Sequence, residues 1–211
     1  MSHQPKNFLA QLFDYLHTFH PLSEGLIEAY NKQCTLKLVK KNKFILSPID
    51  HNESLYFLTK GFVRGFVKEQ GKDITTWFST GGEIIGAIRH PEGEENYSIE
   101  HLQALEDSEL IVIPYSLIDL MYQKFPEGNI ISRKVLALKY FAASQRAIIS
   151  RIPNAADRYD RLIESGNLDL NRIPIRYLSS YLGIRIETLS RIRAKKLNPM
   201  PIADLQQIIK A

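Results

Sequence analysis

The stretch IRYLSSYLGIRIETLSRIRA, residues 175–194, constrains the fold of this chain more than any other part of it. Leu178 and Leu182 lie one helical turn apart, and Leu189 and Ile192 repeat a similar spacing after Gly183, with small Ser179 beside the first pair. Two apolar stripes of this period predict two short helices packed on one another, with Ser179 where they approach most closely. Gly183 supplies the left-handed backbone that ends the first helix and turns the chain sharply into the second.

The second helix is expected to expose Arg185, Ile186, Glu187, Thr188 and Arg191 on its first turns and Arg193, Lys195 and Lys196 toward its end, with Arg176 on the helix before it. Arginine donates in bidentate fashion to guanine, glutamate accepts from cytosine, and neighbouring cations hold phosphates. This layout therefore predicts a helix-turn-helix whose second helix reads double-stranded DNA. Glu187 and Arg191, four apart, are also spaced for a solvated pair worth only ~0.3–0.5 kcal/mol, and the two uses are compatible.

Charge supports this placement. Residues 166–211 hold 8 Lys and Arg against 3 Asp and Glu, whereas residues 1–165 hold 19 against 20, so the basic excess lies beside the helical pair. Such clustering is the footprint of a surface that neutralises phosphates. With 211 residues, 44% of them hydrophobic, the chain is long enough for one large domain or two smaller ones. No apolar run reaches the ~18 residues that span a bilayer, and the start lacks a secretory pattern, so no membrane partner and a cytoplasmic location are expected. A lone cysteine, Cys34, excludes an internal disulfide and a cluster held by several thiolates of this chain.

Upstream the period changes twice. Phe8, Leu9, Leu12, Phe13 and Leu16, then Leu22, Leu26 and Ile27 after Pro21 and Ser23, recur at helical spacing. From about Thr35, short runs such as KFIL, SLYFLT, FVRGFVKEQ and DITTWFS, rich in aromatic and β-branched residues, predict an antiparallel sandwich or barrel that closes near LIVIP at 110–114. After Pro126 and Gly128, Ile131, Val135, Leu138, Ala142, Gln145 and Ile149 form a heptad seam with one polar break. It is expected to pair with its copy as a homodimer interface, though packing within its own domain also suits the spacing. Pro153 ends this helix, and the amphipathic stretch AADRYDRLIES opens the basic C-terminal module, with a domain boundary near 151–154.

In this order, the elements resemble the CRP/FNR family of transcription regulators. Besides LGIRIETLSRIR, the resemblance rests on YFLTKGFVRGFV, similar to the family's β-roll strand pair, and on GGEIIGAI followed by LQALEDSELIVIP, similar to its effector cassette and the next strand. It implies an α+β fold: a double-stranded β-helix, or β-roll, with flanking helices as a cyclic-nucleotide-binding-like sensor over 1–127. A dimerisation and linker helix over 128–152 and an all-α helix-turn-helix domain, winged-helix-like, over 153–211 complete it. It also implies a dimeric, sequence-specific regulator on a pseudo-palindromic site, with RNA polymerase as a candidate partner and no catalytic role.

Within the family's recognition helix, Glu187 and Arg191 match its base-reading Glu and second Arg, whereas Ile186 stands where the first Arg is common. This departure suggests a different half-site and an apolar contact to a thymine methyl. The candidate effector pocket comprises Gly82, Glu83, Ile85, Gly86, Ala87, Ser98 and Ile99. No cofactor is identified, and an effector other than cyclic AMP is expected, because Ala87 and Ser98 replace the family's ribose-binding Glu and phosphate-binding Arg, and a buried phosphate needs charged donors. Gly82 and Gly86 also suit plain turns. After Lys196 the segment LNPMPIADLQQIIKA reads as a short terminal helix in place of the family's wing.

Two other readings carry less. His90, Glu94, Glu95 and His101 crowd one segment, but no metal-ligand spacing links them, and PEGEEN suits a solvated loop. A signalling module that binds a ligand or protein without DNA gives no reason for the basic bias of residues 172–196, where Glu187 is the one acid.

Overall fold

In the computed structural model, residues 7–87, 98–166 and 168–197 are described. The chain divides into two compact units, 1–144 and 145–211.

The first unit opens with helices α1 (Ala10–His17) and α2 (Glu24–Gln33). Ser23 caps α2, its Oγ accepting from the Leu26 backbone N–H at 3.3 Å, and the apolar face that follows buries Leu26 and Tyr30. Eight strands come next: β1 (Thr35–Val39), β2 (Phe44–Leu46), β3 (Ser54–Lys60), β4 (Val63–Glu69), β5 (Lys72–Ser79), β6 (Glu83–Ile85), β7 (His101–Ala104) and β8 (Ser108–Pro114). They form two antiparallel four-stranded sheets, ordered β1-β8-β3-β6 and β2-β7-β4-β5. The β4–β5 hairpin closes through Gln70 and Gly71, both at positive φ, the backbone that a tight two-residue turn needs to match strand twist.

Alternation along the strands sorts side chains into two cores. Tyr56, Leu58 and Leu110 of the first sheet face Leu46, Val63, Leu102 and Ala104 of the second, filling the β-roll. Phe57, Ile111 and Ile113, at the intervening positions, face the other way and pack with Leu12, Leu16, Leu26 and Tyr30. Helix α3 (Tyr115–Lys124) adds Leu117 and Met121 to this outer layer. Helix α4 (Pro126–Arg151) begins at a proline, whose fixed φ suits a first helical position. The division between the units falls inside α4, at residues 144 and 145.

The second unit contains α5 (Ala155–Glu164), a short 3-10 turn (Leu170–Arg172), α6 (Ile175–Leu182) and α7 (Ile186–Leu197). Tyr159, Leu162, Ile173, Tyr177, Leu178, Leu182 and Leu189 are buried among them. This is the α+β order expected from the sequence, with the β-roll first and the helical pair last. No described helix is long and apolar enough to cross a membrane. The expected terminal helix after Lys196 lies outside the described residues, apart from the last turn of α7 at Leu197.

Candidate nucleic-acid interface and effector cassette

The turn between α6 and α7 is built by its backbone. Gly183 adopts φ 63°, its N–H bonds the Ser180 carbonyl at 3.1 Å, and the Ile184 N–H bonds the Ser179 carbonyl at 3.0 Å. This pair of bonds is the Schellman closure, which satisfies carbonyls that a helix end leaves open and requires a left-handed residue where Gly183 stands. Leu178, Leu182 and Leu189 are fully or almost fully buried, and Ser179 is buried beside them. The apolar stripe of the sequence is thus the seam of a two-helix unit.

Burial of that seam fixes what α7 shows to solvent. Arg185, Ile186, Glu187, Arg191 and Lys195 are exposed and Thr188 is half-buried; Ile186 keeps 43% of its surface. The remaining expected contacts divide from this group. Arg193 donates to the Leu170 carbonyl at 3.0 Å and lies over the Tyr159 ring at 5.9 Å. Lys196 pairs with Asp160 and lies near the same ring, 5.8 Å from its centroid. Arg176, though exposed, donates to the Tyr177 hydroxyl at 2.6 Å and covers its ring at 4.5 Å. A residue that sequence spacing did not single out joins the site: Arg158 of α5 donates to the Leu182 carbonyl at 2.8 Å.

The cassette residues lie in and after β6, and the geometry gives each a local role. Gly82, at φ 75°, makes the turn into β6, its N–H bonding the Leu58 carbonyl at 2.8 Å. A Cβ at Gly86 would stand 2.7 Å from Leu55 Cδ2, so this glycine permits close approach to β3. Ile85 belongs to the roll core. The Ala87 carbonyl accepts from Asn52 Nδ2 at 3.0 Å and from the Tyr115 hydroxyl at 3.2 Å. Glu83 pairs with Lys139 of α4. Ser98 Oγ accepts from the Glu100 N–H at 3.0 Å, while Ile99 is 82% exposed. Glu100 in turn accepts from Trp77 Nε1 at 2.8 Å and Thr76 Oγ1 at 2.7 Å.

A cleft of about 390 Å³ opens nearby, between the start of β3 and that of α3, with Asn52, Ser116, Glu53 and Asp119 among its walls. Among the described residues its walls carry two carboxylates and no cation, a poor setting for an anion.

The expected seam on α4 is only partly open. Ile131 is buried and Val135 packs against the same core, formed with α1, α2 and β8, which is the within-domain packing that the spacing left open beside a subunit interface. Farther along the helix Leu138 is 52% exposed, Ala142 and Gln145 are half-buried, and Ile149 is buried. Phe141, at 63%, is an exposed aromatic that the heptad reading passed over. Of the crowded acids and histidines, His90, Glu94 and Glu95 lie outside the described residues. His101 stacks on Phe66, with centroids 4.6 Å apart.

Comparison with known proteins places these observations. Residues 36–125 match the family model described as a cyclic nucleotide-binding domain. The electron transport regulator A of Shewanella oneidensis is 23% identical over 169 residues, 74% of this chain and 66% of its own length. The fumarate and nitrate reduction regulatory protein of Vibrio cholerae is 25% identical over 173 residues, with the same coverages. The chain therefore spans about two thirds of the length of these curated relatives. Among solved structures, the c-di-GMP responsive global regulator CLP of Xanthomonas campestris superposes with a TM-score of 0.66 at 17% identity, covering 83% of this chain and 92% of that one.

Proposed function

We propose that the chain is a regulator of the CRP/FNR type: a sequence-specific, DNA-binding transcription regulator that acts as a homodimer on a pseudo-palindromic site. The observation that carries this reading is the solvent face of α7. Arg185, Ile186, Glu187, Thr188 and Arg191 occupy its entry and first turns, held there by the buried Leu178–Leu182–Leu189 seam and the closure at Gly183. Arg191 and Glu187 serve as the base-reading pair, Ile186 meets a thymine methyl, and Arg185 and Lys195 neutralise phosphates. Arg193 and Lys196 fasten α7 to α5 and the 3-10 turn instead.

The dimer forms through the open part of α4, around Leu138 and Phe141, and presents two recognition helices to successive major-groove turns. RNA polymerase is the protein partner that such a dimer recruits or obstructs. The β-roll is the sensing element. Its effector is not an anionic cyclic nucleotide held in the family's manner, since Ala87 and Ser98 offer no charge, and their polar groups already bond Asn52, Tyr115 and Glu100.

Selection from a random duplex pool at several salt concentrations tests this function. Recovery of a two-fold symmetric motif, with affinity falling steeply with salt, is expected. Absence of retention at low salt removes the DNA-binding reading in favour of a signalling module.

A further inference from the structure

Three consecutive residues of α5 carry both helices of the DNA-reading pair. Arg158 donates to the carbonyl of Leu182, the last residue of α6, at 2.8 Å. The position that a Cβ would take on Gly183 is 3.4 Å from the same guanidinium nitrogen. Tyr159, buried, underlies Arg193 and Lys196, and Asp160 pairs with Lys196. The backbone closure of the turn uses the carbonyls of Ser179 and Ser180, so the Leu182 carbonyl lies beyond its reach. A cation is the favoured partner there, because the C-terminal end of a helix carries partial negative charge, and partial burial strengthens the bond.

We propose that Arg158 is a positioning residue for sequence discrimination: by holding the last carbonyl of α6, it fixes the turn from which α7 departs and so the register in which α7 meets the bases. The inference rests on the DNA-binding reading above. Hydrogen bonds to base edges require donors and acceptors placed within about 0.5 Å, whereas long side chains on phosphates tolerate larger errors. Loosening the turn therefore erodes discrimination before it erodes non-specific affinity.

The full chain carrying Arg158→Met, which keeps the apolar stem and removes the donor, is compared with Arg158→Lys, which restores a charged donor. Binding is measured on the duplex recovered by pool selection and on a scrambled one, and amide hydrogen exchange is followed across residues 183–189. For Arg158→Met the affinity ratio between the two duplexes falls about tenfold, the scale of one lost hydrogen bond to a charged group. Its salt slope is unchanged and exchange in the turn accelerates while α5 stays protected. Arg158→Lys recovers most of the ratio.

An unchanged ratio overturns the inference, as does an equal loss on both duplexes that follows a lowered melting temperature. If Arg158→Met fails to fold, Arg158→Gln against Arg158→Lys makes the same comparison. If the wild-type chain prefers no duplex, the DNA-binding reading fails by itself; unaltered exchange in the turn then overturns the positioning role separately.

Discussion

Arg191 and Lys195 are both exposed cations on α7, one turn apart, yet they are expected to fail differently when removed. On the proposed reading Arg191, one turn from Glu187 on the same face of α7, donates to a base edge. Arg191→Ala should cost about 1–3 kcal/mol on the selected site and relax preference at one position of each half-site. Lys195, nearer the helix end, is the proposed phosphate contact. Lys195→Ala should weaken all duplexes alike and reduce the salt slope by about one for each subunit bound, about two for the dimer. Competition titrations over a panel of single-base variants separate the two, and uniform losses for Arg191→Ala would remove its base-reading role. A second residue-scale consequence concerns His101. Burial, then Lys68 and Arg64 nearby, lower its pKa against the opposing influence of Asp73 and a backbone bond to Phe66. Above the ordinary histidine pKa of about 6.5 both folded and unfolded chains hold it neutral. As pH falls from there toward the depressed folded value, the unfolded chain takes the proton first, so stability is progressively lost. His101→Phe preserves stacking on Phe66 and removes this titration. Melting temperatures measured from pH 7 to 5 should fall less steeply for the variant than for the wild type.

Helix α4 shows what spacing reveals about an element and what it leaves open. The heptad reading found an apolar stripe, but periodicity states which residues share a face, not which neighbour covers it. Ile131 and Val135 are covered by the chain's own α1, α2 and β8, while Leu138 and Phe141 remain open. Ile131→Ala should therefore destabilise the first unit by about 2–5 kcal/mol in denaturant titration and leave association intact. Leu138→Asp should leave the single-chain melt little changed and shift sedimentation to the monomer, because it places a charge in an apolar contact. A dimer that survives Leu138→Asp would place the interface elsewhere. The same limit applies to α7. Gly183 was legible because its left-handed backbone is a local demand, and Leu178, Leu182 and Leu189 because their period is local. That Arg193 and Lys196 turn back onto Tyr159, and that Arg158 reaches Leu182, depends on a ring and a carbonyl brought close by tertiary packing. In the cassette, Gly82 and Gly86 matched a family pattern, yet a turn and a close approach to Leu55 account for both.

At the scale of the whole molecule, a nearly neutral β-roll unit is joined to a basic helical one, so on the proposed reading the charge that draws DNA and the surface open to sensing lie on different units. Binding free energy on a two-fold site then has two parts: phosphate neutralisation, which any duplex supplies, and simultaneous base reading by two copies of α7, which only correctly spaced half-sites supply. Linking two recognition helices through a dimer makes the second reading intramolecular, and its gain vanishes when geometry forbids both at once. Duplexes in which the selected half-sites are moved apart by about half a helical turn, ~5 bp, put the second half-site on the opposite face of the DNA. Affinity should fall to that of a single half-site, and the salt slope to roughly half, because one copy of α7 no longer meets its phosphates. If the respaced duplex binds as well as the selected one, the two α7 helices are not read together, and the dimer contributes avidity without a fixed register.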